Sequence, residues 1–302
     1  MTIESPAGET NAHAANPLQD AQLAFIGCGV MAEAVIAGLL RQGLVPAAQI
    51  VGSHPRAARR EELYAKYGVR IFEENREAVL AAQEQQSNSE NNSSASLVIL
   101  AVKPQRLNKV LHELKGAIQP AQLVVSIVAG ARTDTIAEEL LHSCVVRTMP
   151  NTPAQIGQGM TAWTATDAVT EEQERAVCAM LEALGKTMRV ENERQIDMAT
   201  ALSATGPTYI FLVMEALVDA GVHLGFSRHA SQELVLQMIL GSVLFARESH
   251  KHPAELRNMV TSPGGTSAEA IYQMEKGSLR TVLSKAVWAA YQRAVALGEK
   301  AP

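Results

Sequence analysis

The stretch AQLAFIGCGVMAEAVIAGLLRQG, residues 21–43, decides the fold. It opens with a continuous apolar run of strand length, and the Gly-Cys-Gly at residues 27–29 predicts a tight turn. The apolar spacing after the turn predicts a helix, with Gly43 as its C-terminal cap. A strand, a glycine turn and a helix in this order are typical of the start of an α/β domain.

The same alternation continues along the first half of the chain. Further strands are predicted at residues 49–53, 69–72, 97–102, 123–129 and 144–150, with helical segments between them. Continuous apolar runs of this length are typical of the interior strands of a parallel sheet. We therefore predict a doubly wound parallel sheet over residues 21–193.

After residue 193 the strand-like runs stop. Helices are predicted at residues 208–225, 229–249 and 278–298, and the first is apolar on almost every side. About a hundred residues of such helices rarely bury that much apolar surface alone. We predict that residues 194–302 form an all-α domain that associates with a second chain.

Composition excludes several classes of protein. Hydrophobic residues make up 47% of the chain, which excludes a disordered protein. The formal net charge is -5 and no long basic block interrupts the chain, so we expect no nucleic-acid partner. The longest apolar stretch, Tyr209 to Leu217, contains Glu215 and is too short to span a membrane, so we expect no membrane partner.

Polar segments and cysteines complete the outline. Residues 1–20 lack the features of a signal peptide and are predicted to be a disordered tail. Residues 83–96 are polar and without periodicity, which predicts a solvated loop insertion. Three scattered cysteines without metal-ligand spacing predict a cytoplasmic protein with no metal site.

The glycine turn is a candidate phosphate site. Glycines at 27 and 29 would let backbone N–H groups at the start of a helix approach a pyrophosphate. Ala32 stands where the fingerprint of dinucleotide-binding turns has a third glycine, and a small residue satisfies the packing needed there. The alternative is an ordinary glycine turn with no ligand.

The end of the second predicted strand bears on the choice of cofactor. NAD sites usually carry an acidic residue there, whereas this chain has Ser53 and, three residues later, Arg56. Because hydroxyl and guanidinium groups bind a 2′-phosphate, NADPH is favoured, with NADH as the alternative. Arg59 and Arg60 follow, and the alternative for these arginines is a place on the solvent face of the next helix.

Two further segments follow predicted strands, where ligands bind in open α/β sheets. AVKPQ at 101–105 contains Lys103, which is either structural or close to the cofactor. RTMPNTPA at 147–154 exposes Asn151 and Thr152, and asparagine suits the carboxamide of nicotinamide.

The helical half contains a candidate anion site in VTSPGGTSAEA, residues 260–270. Ser262, Thr266 and Ser267 carry hydroxyls next to a glycine turn and a helix start, which suits a small carboxylate. Thr266 followed by Glu269 predicts a capping box. Taken alone, the segment is also explained as a well-capped helix.

The order and spacing of these segments resemble the pyrroline-5-carboxylate reductase family from about Leu23 to Leu297. The segments that carry the resemblance are FIGCGVMAEAVIAGLL, AVKPQ, RTMPNTPA, GPTYIFLVMEALVDAGVHLGFSR, HPAEL and VTSPGGTS. The resemblance implies a Rossmann-type domain followed by a helical domain that interleaves with that of a partner. It also implies assemblies of dimers, commonly decamers, with active sites at the dimer interface.

By the same resemblance, residues are assigned to cofactor and substrate. The pyrophosphate would lie over Gly27, Gly29, Met31 and Ala32, the 2′-phosphate at Ser53 and Arg56, and the adenosine near Asn75. Ala101, Val102, Lys103, Pro104, Gln105, Ala129 and Gly130 would line the crevice toward the nicotinamide. Ser262, Gly264, Gly265, Thr266 and Ser267 would hold the carboxylate of 1-pyrroline-5-carboxylate.

The implied reaction is hydride transfer from NADPH to the C=N carbon of 1-pyrroline-5-carboxylate, which gives L-proline. No buried general acid is evident among His223, His250 and His252, so we expect the proton from solvent or through Ser267 or Thr266. The alternatives are another imine reductase on this scaffold and a non-catalytic nucleotide-binding paralogue. A β-hydroxyacid reductase would need a catalytic lysine, and neither Lys186 nor Lys251 is suitably placed.

Overall fold

The computed structural model describes residues 16–87 and 96–299, which form two units. The first unit, residues 16–199 with 296–299, is built around one eight-stranded sheet of order β3-β2-β1-β4-β5-β6-β7-β8. The strands are β1 Gln22–Ile26, β2 Ile50–Ser53, β3 Arg70–Phe72, β4 Ser96–Leu100, β5 Leu123–Ser126, β6 Val145–Met149, β7 Gly159–Ala165 and β8 Gly185–Arg189.

Helices cover both faces of this sheet, which confirms the doubly wound prediction. They are α1 Val30–Arg41, α2 Ala57–Tyr67, α3 Asn75–Ser87, α4 Pro104–Leu114, α5 Thr133–Leu140, α6 Glu171–Glu182 and α7 Glu193–Ala199. Side chains of α1, α2 and α6 pack in one core with Leu23 and Phe25, and side chains of α3, α4 and α5 pack in another with Ile26 and Val98. The alternating strand β1 therefore contributes to both cores.

The sheet departs from an all-parallel arrangement at β7. Strands β1 to β6 pair in parallel, but β7 pairs with β6 in the antiparallel direction and β8 then runs parallel to β7. Residues 150–158 between β6 and β7 contain only a 3₁₀ turn, which is too short for the crossover that a parallel partner needs. No clear apolar run marks β7, because Thr161 and Thr164 interrupt it.

Two segments predicted to be unstructured are partly ordered. Within the predicted tail 1–20, Leu18 is fully buried and Asn16 Nδ2 donates to the carbonyl of Leu44 at 2.7 Å. Residues 1–15 lie outside the described residues. Within the predicted loop 83–96, helix α3 continues to Ser87 and β4 begins at Ser96, while residues 88–95 lie outside the described residues. Buried Gln83 donates to Gln122 Oε1 at 2.7 Å, so the first residue of this segment belongs to the core.

The second unit, residues 200–295, is all-helical, as predicted. Its elements are a π-helical turn Thr200–Ala204, α8 Gly206–His223, α9 Arg228–Ser249, α10 Pro253–Met259, α11 Thr266–Lys276 and most of α12 Leu279–Gly298. No residue of α8, α10 or α11, all within the described part of the chain, is buried. Large apolar side chains such as Phe211, Leu240 and Trp288 are exposed. One chain therefore leaves the apolar surface of these helices uncovered.

Candidate nucleotide and carboxylate sites

The glycine turn after β1 requires its first glycine. Gly27 has φ of +90°, and a Cβ there would meet Val102 Cγ1 at 2.6 Å. The carbonyl of Ile26 accepts from Ala101 N–H at 2.8 Å, so the exits of β1 and β4 lie side by side. The structure thus brings Gly27, predicted to lie under the pyrophosphate, together with Ala101 and Val102, predicted to line the crevice toward the nicotinamide.

The second glycine leaves space open instead. Gly29 is the N-cap of α1, no side chain caps the helix, and a Cβ at Gly29 would meet no atom within 4 Å. Its φ of -81° is available to any residue, so neither backbone strain nor crowding explains the glycine. Met31 and buried Ala32 lie in the first turn of α1, whose N–H groups have no partner within the helix. This geometry suits a phosphate that approaches the helix start.

Ser53 and Asn75 tie the turn to the neighbouring elements. The buried Ser53 hydroxyl accepts from Gly27 N–H at 3.2 Å and donates to Asn75 Oδ1 at 2.7 Å. Asn75 Nδ2 in turn donates to Glu113 Oε2 of α4 at 2.6 Å. Ser53, predicted at the 2′-phosphate, and Asn75, predicted near the adenosine, therefore both have side-chain hydrogen bonds within the protein. Their contacts with a ligand stay a prediction.

The three arginines after β2 have different surroundings. Arg60 donates to the carbonyls of His54 and Pro55 and pairs with Glu73, and Arg59 pairs with Glu33 and Glu62. The exposed guanidinium of Arg56, by contrast, has no ion-pair or hydrogen-bond partner within residues 16–87 and 96–299. Among these three side chains, Arg56 is the one available to a ligand.

Burial determines the protonation of two neighbouring groups. Burial, followed by the charge of Arg56, lowers the pKa of His54, so this imidazole is neutral at pH 7 and adds no charge beside Arg56. Burial raises the pKa of the Cys28 thiol to about 12. Cys28 in the middle of the glycine turn is therefore a packing residue and not a nucleophile.

The remaining residues of the predicted cofactor crevice follow β4, β5 and β6. Lys103 is exposed as the N-cap of α4, Pro104 is its first residue, and the Lys103 ammonium has no partner in the described part of the chain. Ala129 and Gly130 are half-buried, and Gly130, at φ +74°, lies against Leu297. Asn151 Oδ1 accepts from Met160 N–H at 2.9 Å and so fixes the start of β7, while Thr152 is exposed.

The start of α11 forms the second candidate site. Helix α11 begins at Thr266 with Gly265 as its N-cap and without a side-chain cap, so the predicted capping box from Thr266 to Glu269 is wrong. Thr266 is already inside the helix, because Gly264, at φ +70°, turns the chain one residue earlier than the sequence pattern suggested. The helix N-terminus is consequently left open.

Three hydroxyls accompany this open helix start. The side chains of Ser262 and Thr266 are exposed and that of Ser267 is half-buried, and none of the three hydroxyls has a hydrogen-bond partner in the described part of the chain. A Cβ at Gly265 would meet Ser262 Oγ at 2.6 Å, so the glycine allows this hydroxyl to lie beside the N-cap. Unpaired hydroxyls and free helix N–H groups together form an acceptor for a small anion.

A buried charged cluster joins β6 to α7 and was not predicted from the sequence. The Arg147 side chain is 2% exposed and pairs with Glu193 and, at 2.7 Å, with Asp197, both on α7. Glu193 also accepts from Thr133 N–H at the start of α5. An arginine within the apolar strand VVRTM was the available signal, because a buried charge requires a partner.

His252, one of the histidines considered as a general acid, and Thr205 both have contacts within the second unit. His252 caps α10 by accepting from Ala254 N–H at 3.1 Å, which gives this histidine a structural use. Thr205 Oγ1 donates to the carbonyl of Thr200 at 2.9 Å across the π-helical turn that precedes α8. Within residues 16–87 and 96–299, no group of three or more His, Cys, Asp or Glu side chains is arranged to hold a metal ion.

Two family models match the chain. The model described as pyrroline-5-carboxylate reductase dimerisation matches residues 193–297. The model described as NADP oxidoreductase, coenzyme F420-dependent, matches residues 22–130. The first match includes the second unit and the open start of α11, and the second includes the glycine turn, Arg56 and Lys103.

Relatives and solved structures cover nearly the whole chain. Pyrroline-5-carboxylate reductases from Synechocystis and Pseudomonas aeruginosa are 38% and 40% identical to it, over 92% of this chain and 99% and 97% of theirs. The solved structure of such a reductase from Coxiella burnetii superposes with a TM-score of 0.80 at 34% identity, covering 92% of this chain and 99% of that one. The Plasmodium falciparum enzyme, solved with NADP bound, gives 0.80 at 28% identity, covering 92% and 98%.

Proposed function

Because the chain belongs to the pyrroline-5-carboxylate reductase family, we propose how its residues bind the cofactor and 1-pyrroline-5-carboxylate so that the C=N bond is reduced to give L-proline, the last step of proline biosynthesis. The observation that carries the proposal is the uncapped start of α1, where Gly29 leaves open the space that a side chain would fill. When bound, the nicotinamide nucleotide supplies the hydride. The residues described below would bind the cofactor and the substrate, orient the substrate and supply a proton to its nitrogen.

The first unit would hold the cofactor. The N–H groups at the start of α1, with Gly27, Gly29, Met31 and Ala32, would bind the pyrophosphate. Asn75 would lie near the adenosine. The segments that follow three strands would line the nicotinamide end, and their residues are Ala101, Val102, Lys103, Pro104, Ala129, Gly130, Asn151 and Thr152.

NADPH is the preferred cofactor in this proposal. The unpaired guanidinium of Arg56 and the absence of an acidic residue at the end of β2 favour a 2′-phosphate, because a carboxylate there would repel it. Ser53 is proposed beside the same phosphate and would exchange one of its hydrogen bonds to make that contact. NADH would lack the phosphate that Arg56 binds.

The second unit would hold the substrate by its carboxylate. The open N-terminus of α11 and the hydroxyls of Ser262, Thr266 and Ser267 would donate hydrogen bonds to this anion, with Gly264 and Gly265 offering backbone N–H groups. Holding the carboxylate would fix the orientation of the imine carbon for reaction. Ser267 and Thr266 are the proposed catalytic residues, since a hydroxyl near the imine nitrogen can pass a solvent proton to it.

The chain carries a dimerisation domain, so it forms homo-oligomers. We extend this to assemblies of dimers, with decamers proposed on the family resemblance. We propose no nucleic-acid partner and no membrane partner. The three cysteines, Cys28, Cys144 and Cys178, are all free thiols, which favours the cytoplasm as the compartment.

A turnover assay tests this function. Purified protein is mixed with 1-pyrroline-5-carboxylate and either NADPH or NADH, and nicotinamide absorbance and proline formation are followed together. We expect both to change in equal amounts, faster with NADPH at limiting cofactor. Turnover of six-membered cyclic imines in the same assay would identify a broader imine reductase. No turnover with either cofactor would favour the non-catalytic nucleotide-binding paralogue.

A further inference from the structure

Arg59 reaches from α2 to the glycine turn that would hold the cofactor. Its Nε donates to the carbonyl of Cys28 at 3.3 Å, and Cys28 is the middle residue of that turn. Its Nη2 pairs with Glu33 Oε2 at 2.5 Å and its Nη1 with Glu62 Oε2 at 2.9 Å. The Arg59 side chain is only 12% exposed. One guanidinium therefore joins α2 to both the turn and the first turn of α1.

Glu33 receives three donors from α2. Besides Arg59, Lys66 Nζ and Tyr67 hydroxyl each donate to Glu33 Oε1 at 2.8 Å. Burial by itself would raise the pKa of Glu33, but hydrogen bonds from Lys66, Arg59 and Tyr67 lower it to about 2. The carboxylate stays ionised, and α2 cations compensate its charge one turn from the helix start.

This cluster bears on a phosphate at the start of α1. A carboxylate in the first turn of a helix competes with a phosphate for the same partial positive charge. Arg59 offsets the charge of Glu33 and also fixes the Cys28 carbonyl, which orients the peptide groups leading into Gly29. Removing the guanidinium would loosen the turn and leave the carboxylate less compensated.

We propose that Arg59 is a positioning residue for the cofactor pyrophosphate: it holds the Gly27–Cys28–Gly29 turn and Glu33 in the arrangement that binds the phosphate. The proposal rests on the proposed function, since it assumes a nicotinamide dinucleotide at this turn. It differs from the role of Arg56 in one measurable respect. Because NADPH and NADH share the pyrophosphate, Arg59 acts on both, whereas Arg56 discriminates between them.

The test measures direct binding of NADPH and NADH by calorimetry, with steady-state kinetics alongside. For Arg59→Met we expect affinity for both nucleotides to fall by about tenfold, with their ratio unchanged. The kcat at saturating NADPH and the KM for 1-pyrroline-5-carboxylate stay at wild-type values, which a general loss of folding would not produce. Arg59→Lys keeps the charge and is expected to recover part of the affinity.

Glu62→Gln is the matched control. It removes the Arg59 contact that does not touch the turn, and Glu62 is 55% exposed, so we expect wild-type affinity. If Arg59→Met or, should that variant not fold, Arg59→Lys binds both nucleotides as wild type does, the proposal is overturned. Loss of NADPH affinity alone would also overturn it. A wild-type protein that binds neither nucleotide would refute the proposed function together with this inference.

Discussion

The guanidinium of Arg56 differs from those of Arg59 and Arg60 in having no hydrogen-bond or ion-pair partner within the described part of the chain, although the three residues lie within five positions. Their positions in the sequence did not show which of the three side chains is available to a ligand. Two of the partners of Arg59 and Arg60 are distant in sequence, because Glu33 lies on α1 and Glu73 follows β3. The roles of these individual arginines could therefore be assigned only from the structure.

Replacing Arg56 by alanine tests cofactor choice. We expect the KM for NADPH to rise about tenfold while that for NADH changes less than about twofold, since only NADPH carries the 2′-phosphate. Arg60→Met is not a neutral comparison because Arg60 holds the carbonyls beside Arg56. Arg189→Met on β8 is the control, and equal losses for both cofactors in Arg56→Ala would contradict the assignment.

Ser267→Ala tests the carboxylate site. Losing a hydrogen bond to a charged group should raise the KM for 1-pyrroline-5-carboxylate roughly tenfold, with the affinity for NADPH unchanged. If the hydroxyl also relays a proton, kcat falls as well. Ser242→Ala is the control, because this hydroxyl donates to the carbonyl of Met238 within α9. Unchanged KM and kcat in Ser267→Ala would remove Ser267 from the site.

Among the structural elements, the glycine turn allows nucleotide affinity and stability to be tested by different substitutions. Gly29→Val adds a side chain to open space, so we expect the free energy of unfolding to change by about 1 kcal/mol or less while nucleotide affinity falls at least about tenfold. Gly52→Ala is the comparison variant, because its Cβ would enter occupied space and meet Cys28 Sγ at 2.3 Å. It should cost about 1–3 kcal/mol of stability. Calorimetry and thermal unfolding measure both, and a Gly29→Val protein that binds normally would contradict the turn's role.

Arg147 joins strand β6 to helix α7. Arg147→Met leaves Glu193 and Asp197 without their shared cation, so the free energy of unfolding should fall by about 3–5 kcal/mol. Arg228→Met removes an exposed pair with Asp219 and should cost less than about 1 kcal/mol. Chemical denaturation compares the two variants. Equal stabilities would show that the buried cluster does not hold α7.

Apolar strands and glycine turns were predictable from the sequence because their signals are local. Strand β7 was not, since its alternating GMTAWTA lacks a continuous apolar run and its direction depends on the short connection from β6. The start of α11 was misjudged for a related reason. Thr266 and Glu269 match a capping box in spacing, but the left-handed Gly264 moves the N-cap to Gly265.

At the scale of the whole molecule, the exposed apolar helices require a partner. The helical run Glu193–His223 is long and apolar enough to cross a membrane by length and composition, and 6% of its most apolar window is buried. The match to a dimerisation domain over residues 193–297 favours a second copy of the chain as the cover. Composition predicted this association, whereas the surface that each helix presents could be seen only in the structure.

Phe211→Glu tests the nature of that cover. Phe211 on α8 is 59% exposed in one chain, so a charge there should dissociate the oligomer and abolish activity if a partner buries it. Tyr64→Glu, at a residue of α2 that is 64% exposed, should leave the assembly intact. Light scattering coupled to gel filtration without detergent measures the mass. A wild-type protein that is monomeric and active at low concentration would contradict the dimer.

The most direct measurement follows the hydride itself. Protein is incubated with 1-pyrroline-5-carboxylate and NADPH carrying deuterium on the transferred position of nicotinamide C4, and the proline is analysed by mass spectrometry and NMR. We expect one deuterium per proline, on the carbon that was doubly bonded to nitrogen. Proline without label, label elsewhere on the ring, or no proline would contradict hydride transfer to the imine carbon.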